Sequence, residues 1–593
     1  MPREKGIRNI FAQIVLAAIP IVLLALAGRV VYINLKLANT QKLLERADHQ
    51  QQAFIPLPAV RGKIYDRRGR ILAGTKIVPS LFADPALNDD KILTADVVGQ
   101  QLSISKELII DKLNKDPSSH FVWLARGISA DDADGFSKEI CKKLGLGIFY
   151  EPKRIYTSGT LAGHVLGSVN IDGWGQEGVE LYDNKTLAGQ DGYEHYIRDA
   201  ARRKIWLINS QCRSPVNGQN IILSIDSVVQ QFTQKILGAT CEQYRAESGV
   251  AVVMDPRTGE ILALASWPEV DPGNFGNTPP DKRRNRVLTD PYEPGSIFKP
   301  FIASHALEDG VVKMEDTFFC ENGAYTVGRR TLHDAHKMGT LTFPEVVILS
   351  SNIGMAKIGQ RMGNARLNHA VRSFGFGRKT GIDLPGEDYG LVWPAARWTS
   401  FSTCSIPMGQ EIAATSLQLV TAFAAIANHG TLLRPRLLLA AIDERGQVTK
   451  ERTKPEVVNQ AIKPEIAKIM VEQILRGVCA IGTGKKADIP GYQVFGKTGT
   501  AQIAKSSGKG KGHFEENAYV ASFMGGAPAS NPQVVVIVSI RRPDKKIGHY
   551  GGTVSAPAVK EILQSYFDYE QIPPVEAVDN MTKKAEEKGD FGF

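Results

Sequence analysis

Three short motifs hold residue types able to do acyl-transfer chemistry, and they follow one another along the chain. The first is Ser296-Ile297-Phe298-Lys299, preceded by Glu293-Pro294-Gly295. A serine hydroxyl is a poor nucleophile until a base takes its proton, and a lysine serves as that base only when its pKa falls. Burial, the positive end of a helix and a second cation each push it down. A helix starting at Ser296 would set Ser296 and Lys299 on one face. Pro300 then requires the serine to sit close to the helix start. The second motif is Ser350-Ser351-Asn352. Ser350 can pass a proton between the lysine and a leaving amine, and Asn352 offers a carboxamide for a substrate amide and for Lys299. The third is Lys497-Thr498-Gly499-Thr500. As a β-strand it would present Lys497, Thr498 and Thr500 to a substrate carboxylate, with Gly499 letting a substrate backbone approach the strand edge. The backbone N–H groups of Ser296 and Thr500 would form an oxyanion hole.

These motifs need a frame. A different texture begins near residue 218, where Ile221 to Asp226 reads as a short strand and residues 227–245 as a helix with apolar residues at helical spacing. Gly249 to Met254 and Ile261 to Ala265 form a hairpin-like pair around Asp255-Pro256-Arg257-Thr258-Gly259. Residues 410–428 read as a buried helix, Val534 to Ile540 as a strand and 556–568 as a terminal helix. Strands at both ends with helices between predict an α/β sandwich whose sheet draws on distant segments. Residues 56–215 alternate short β-like runs with Gly-rich turns, with helical stretches near 105–115 and 130–145, and read as an irregular α+β region.

The bulk numbers fit that organisation. The 593 residues are too many for one ordinary core and predict two or three domains. With 43% hydrophobic and 22% charged residues the chain is globular. The net charge of +9 suits a protein beside anionic polymers or lipid headgroups. Nucleic-acid binding is disfavoured, because the basic residues are scattered and no binding motif accompanies them. Six cysteines, with no CxxC pair, read as isolated buried thiols. Ile10 to Ala27 is almost wholly apolar, close to the roughly 18–20 residues that span a bilayer core. Arg3, Lys5 and Arg8 before it favour a cytoplasmic N-terminus. A cleaved signal peptide is the alternative, since Ala25-Leu26-Ala27 resembles a cleavage site, but the run is longer than a signal core. Leu35 to about Gln52 reads as a helix-compatible stalk, and the end of the chain as a polar tail.

All three motifs in order are a signature of penicillin-recognising serine enzymes. The chain resembles the class B penicillin-binding proteins over nearly its whole length. Arg61-Gly62 through Asp66-Arg67 and Gly69 resembles the family's first pedestal motif, and Gly175, Gly178, Glu180, Tyr182, Leu187, Gly189 and Gly192 its Gly/acid signature. Arg284-Asn285-Arg286 leading to Tyr292-Glu293-Pro294-Gly295-Ser296 is similar to the cell-division branch, of the FtsI or SpoVD kind, as is Thr498. Ile297, Arg68 and Thr157 depart from the usual Thr, Asn and Pro.

The resemblance implies a multidomain α/β and α+β protein. Residues 1–9 would be a cytoplasmic head, 10–33 a single transmembrane helix and 34–217 a stalk and elongated α+β pedestal. Residues 218–572 would be the transpeptidase domain, a β-sheet sandwiched by helices as in β-lactamases, and 573–593 a tail. It implies a peptidoglycan D,D-transpeptidase, probed by β-lactams, with Ser296, Lys299, Ser350, Asn352 and Lys497 catalytic and Thr498, Gly499 and Thr500 binding substrate. No metal or organic cofactor is implied. The implied partners are stem peptides ending in D-Ala–D-Ala, an amine acceptor, an FtsW-type glycan polymerase and other divisome proteins. Competing functions are a D,D-carboxypeptidase, an elongation-type transpeptidase and a non-catalytic divisome scaffold. The intact motif set argues against the scaffold. His333, Asp334 and His336 suggest a metal site, but no third ligand stands at sensible spacing. Glu293 suits a turn or helix-dipole role better than that of a base.

Overall fold

The computed structural model describes residues 3–35, 52–198, 204–208, 212–504 and 514–575. The stalk expected from 35 to 52 and nearly all of the tail lie outside these residues. Helix α1, Arg3–Leu35, contains a stretch from Gln13 to Ile33 long and apolar enough to cross a membrane, with mean hydropathy 2.6. Leu16 and Leu24 are 71% and 72% exposed. A helix that is apolar all round and left uncovered by protein fits lipid as its solvent.

The chain forms two compact units. One joins residues 1–59 with 190–217, the other 60–189 with 218–593. The first contains, besides α1, an antiparallel sheet of Gln52–Leu57, Gly192–Arg198 and Lys204–Leu207, in that order.

In the second unit the pedestal segment is built on the long strand Ile71–Ala83, paired antiparallel with Leu146–Tyr156 along its length. Helices Lys106–Asn114, Ala130–Asp134 and Lys138–Leu144 answer the two helical stretches read from sequence. The second stretch divides because Ser137 caps a new helix, accepting from the N–H of Ile140. The Arg61 and Glu180 motif residues meet in a buried triad. Arg61 Nε and Arg154 Nε each lie 2.6 Å from a different Glu180 oxygen, and all three side chains are at most 6% exposed. Arg61 also donates to the carbonyls of Gly173 and Glu180, so the ionised groups keep hydrogen bonds after losing water. Gly62 is required here: a Cβ would stand 1.8 Å from the carbonyl oxygen of Gln219. That packing lets Ile64–Tyr65 pair in parallel with Asn220–Leu223, which continues antiparallel to Leu438–Ile442.

The remainder is a five-stranded antiparallel sheet between helices. Its elements are α2 (Ser227–Gln243), β1 (Ser248–Met254), β2 (Ile261–Trp267), α3 (Lys299–Glu308), α4 (Asn352–Ser373), α5 (Ser416–Ala427), β3 (Phe495–Ala504), β4 (Phe514–Ala527), β5 (Val534–Arg541) and α6 (Gly551–Glu570). The strand order is β2-β1-β5-β4-β3. The two-residue period of each strand divides the core. Ala251, Val253, Val536 and Val538 pack with α2 and α6, while Val250, Val252, Val535 and Ile537 face the side of α3, α4 and α5. Both faces are covered, so β5 is apolar without alternation, which is why it reads so clearly in sequence. Two helices differ from their expected limits. α5 starts at Ser416, because Thr415 and Gln418 form a capping box and residues 413 and 414 bridge to Leu391 and Tyr292. α6 starts at Gly551 and carries Pro557 inside it.

Candidate active site

Ser296 sits on a 3₁₀ turn, Gly295–Phe298, that leads directly into α3 at Lys299. The helix expected at Ser296 therefore begins as a tighter one. A 3₁₀ turn eclipses residues three apart, which sets Ser296 and Lys299 on one side. Pro300 falls in the first turn of α3, where its missing N–H breaks no intrahelical bond.

Lys299 is 0% exposed. Its Nζ donates to the Ser350 carbonyl at 2.5 Å, to Asn352 Oδ1 at 2.9 Å and to Ser350 Oγ at 3.1 Å. Burial pulls this amine down to about 7, against the opposing pull of Asp334 and Cys320. Lys497 is equally buried, and its Nζ donates to the same Ser350 Oγ at 2.9 Å. Burial first, and the Lys299 charge second, push it well below an ordinary lysine. Two buried lysines thus share one hydroxyl, a combination that favours losing a proton from the pair.

Ser350 occupies the joint between helix Phe343–Ile348 and α4, with φ at +63°. A non-glycine residue there costs energy and persists only when its surroundings fix it. Ser351 caps α4 by accepting from Gly354 N–H at 2.9 Å. Asn352 Nδ2 donates to the His333 carbonyl at 2.9 Å, which turns its oxygen towards Lys299.

The strand expected for Lys497 to Thr500 is β3, on the sheet edge. Two contacts within the protein add to the sequence reading. Lys497 is buried and points inward to Ser350. Gly499 serves a contact within the protein, since a Cβ would lie 2.7 Å from Ile297 Cγ2 and 3.2 Å from the Pro294 carbonyl oxygen. The glycine lets the strand lie against the turn that carries Ser296. Gly551 is needed on the other side, where a Cβ would lie 2.3 Å from the Gly499 oxygen. Thr498 Oγ1 shares a hydrogen bond of 2.7 Å with Thr483 Oγ1, and Thr500 Oγ1 accepts from Gly551 N–H at 3.1 Å. Beyond Thr500 a cavity of about 400 Å³ runs past Ala501 and Gln502 to Glu293 and Trp393. Glu293 accepts from the N–H of Glu411 at 3.0 Å, a turn-fixing role, and burial raises its pKa.

The three motifs therefore converge, although none is adjacent in sequence. The residue that sequence reasoning missed is Asp334, which receives the first N–H groups of α4. Its distance in sequence from Ser351 gives no periodic signal; only the hairpin ending at His333 brings it there. Among the described residues no group of three or more His, Cys, Asp or Glu is arranged to hold a metal ion. None of the six cysteines is paired.

Comparison with known proteins agrees with this geometry. Residues 249–564 match the family model of the penicillin-binding protein transpeptidase domain, and residues 56–223 that of the penicillin-binding protein dimerisation domain. The chain is 34% identical to the probable peptidoglycan D,D-transpeptidase PbpC of Pseudomonas aeruginosa, covering 93% of this chain and 94% of that one. It is 33% identical to the peptidoglycan D,D-transpeptidase FtsI of Escherichia coli, covering 91% and 89%. It is 34% identical to the stage V sporulation protein D of Bacillus subtilis, covering 92% and 83%. Among solved structures, a peptidoglycan synthetase from Bifidobacterium adolescentis superposes with a TM-score of 0.70 at 26% identity, covering 89% and 98%. Penicillin-binding protein 3 of Mycobacterium tuberculosis complexed with aztreonam superposes with a TM-score of 0.68 at 27% identity, covering 88% and 98%. With both domain types matched in order and relatives aligned over nearly its whole length, this chain belongs to the class B penicillin-binding proteins, the family of peptidoglycan transpeptidases.

Proposed function

We propose that the chain cross-links peptidoglycan stem peptides through an acyl-enzyme on Ser296. The observation that carries this reading is the meeting of Lys299 and Lys497 on the Ser350 hydroxyl, beside the turn that holds Ser296. In its neutral form Lys299 Nζ takes the Ser296 proton as Oγ attacks the carbonyl carbon of the penultimate D-Ala. The N–H groups of Ser296 and Thr500 hold the oxyanion. The C–N bond breaks, the proton passes through Ser350 Oγ to the nitrogen of the departing D-alanine, and an ester on Ser296 remains. An acceptor amine then attacks the ester, gives up a proton through the same relay and leaves as the cross-linked amide, restoring the Ser296 hydroxyl. Asn352 fixes Lys299 and meets the donor's amide, while Thr498, Gly499 and Thr500 form the edge along which the donor lies. β-Lactams mimic the donor and stop at the ester.

We assign residues 1–9, 10–33, 34–217, 218–572 and 573–593 to head, anchor, stalk and pedestal, transpeptidase domain and tail. The basic residues before the anchor favour a cytoplasmic N-terminus and an extracytoplasmic catalytic body. Septal synthesis beside an FtsW-type glycan polymerase is the setting favoured by likeness to the FtsI and SpoVD relatives.

The test offers a D-Ala–D-Ala thioester analogue together with a D-amino acid acceptor. The expected outcome is that the amide exceeds the free acid and that its share rises with acceptor concentration. Hydrolysis alone, insensitive to the acceptor, would make the chain a carboxypeptidase.

A further inference from the structure

We infer that Asp334 is a positioning residue for acyl transfer, holding the Ser350–Asn352 turn in register with Lys299. The inference rests on reading Ser296 and Lys299 as nucleophile and base. Asp334 follows the strand Arg330–His333, whose hairpin partner is Ala324–Val327. One of its oxygens accepts from the N–H groups of Asn352 at 2.5 Å and Ile353 at 3.1 Å. The other accepts from Ser351 Oγ at 2.8 Å. These N–H groups belong to the first turn of α4 and have no partner within the helix, so a carboxylate there supplies both acceptor and favourable charge. The neighbouring His333 carbonyl holds the Asn352 amide. One loop therefore fixes the two residues that follow Ser350.

That matters because Ser350 is held in the left-handed region. Before it, the N–H groups of Ser350 and Ser351 bond back to the carbonyls of Val347 and Val346. After it, Asp334 clamps the start of α4. Release of that clamp would let Ser350 relax and carry its hydroxyl away from both lysines. Three groups facing Lys299 bear on its charge: Lys497 from β3, and Asp334 and Cys320 from the segment before α4. Of the two that favour the charged form of Lys299, Asp334 exerts the larger pull and Cys320 the smaller.

The test is the second-order rate of acylation by a fluorescent penicillin, followed from pH 5 to 10 on the detergent-solubilised full chain. Asp334→Asn keeps the shape and removes the charge. Its plateau is expected to fall between about tenfold and a hundredfold through misplacement of the relay. Its lysine limb is expected to move to lower pH, because an anion that favours the ammonium form is gone. Ser351→Ala removes one bond to the carboxylate and the cap on the Gly354 N–H but keeps the Asp334 charge, so the plateau per active molecule should fall severalfold with the limb in place. A residue acting only on folding would lower the active fraction without moving the limb. An Asp334→Asn limb at the wild-type position overturns the proposal; where that variant does not fold, an unchanged Ser351→Ala plateau does so. Wild-type labelling of Ser296→Ala would instead remove the reading beneath it.

Discussion

Replacing Lys299 by methionine is expected to leave a folded protein that acylates slower by a factor on the order of 10³–10⁴, the upper range for a lost general base. The side chain is fully buried, so a polar-to-apolar exchange of similar length opens no large cavity. Removing a buried cation relieves its desolvation, while the Ser350 carbonyl and Asn352 Oδ1 each lose a donor. These effects oppose each other, so the melting temperature should change little. Loss of rate at unchanged folding is what separates a base from a structural lysine. The wild-type pH profile carries the same information. A base whose pKa is lowered to about 7 is protonated and idle below that pH and neutral above it. The acylation rate should therefore rise with pH through about 7, the value set by burial, and not through the range of an ordinary lysine. A profile that rose only near pH 10 would mean that Lys299 is solvated in the working enzyme.

Replacing Ser350 by alanine is expected to slow acylation by an amide donor or a β-lactam by about 10²–10³-fold, because both need a proton on the departing nitrogen. A thioester donor should lose less than about tenfold, because a thiolate leaves without that proton. Among the described residues the hydroxyl is the one side-chain atom bonded to both lysines, at 3.1 and 2.9 Å, so its removal separates them without altering the nucleophile. The comparison is made by following release of D-alanine and of thiol from matched donors. Equal losses for both would indicate that Ser350 only shapes the site.

Much of this site was legible in the sequence, for a physical reason. Chemistry fixes residue type and local spacing, and Ser296 with Lys299 must lie one turn apart. The buried strands β1 and β5 were legible too, since a strand covered on both faces becomes a continuous apolar run. What the sequence hid are contacts between distant segments. The inward direction of Lys497 depends on which face of β3 meets the nucleophile turn. Gly499 also makes room for Ile297 and Pro294, a contact with no signal in the local sequence. Asp334 looked like a stray metal ligand beside His333 and His336, and it caps α4. The early start of α6 was masked by Gly551-Gly552 and Pro557, residues that discourage helix when read locally. Gly551 is there because the helix start packs on Gly499 and leaves no space for a side chain.

A covalent ester on Ser296 is read out by peptide mapping with mass spectrometry after incubation with a fluorescent penicillin, with Ser296→Ala alongside. The expected result is a single adduct on the peptide containing Ser296, stable to digestion and missing from the variant. An adduct on any other residue, or an equal yield from Ser296→Ala, would contradict Ser296 as the nucleophile.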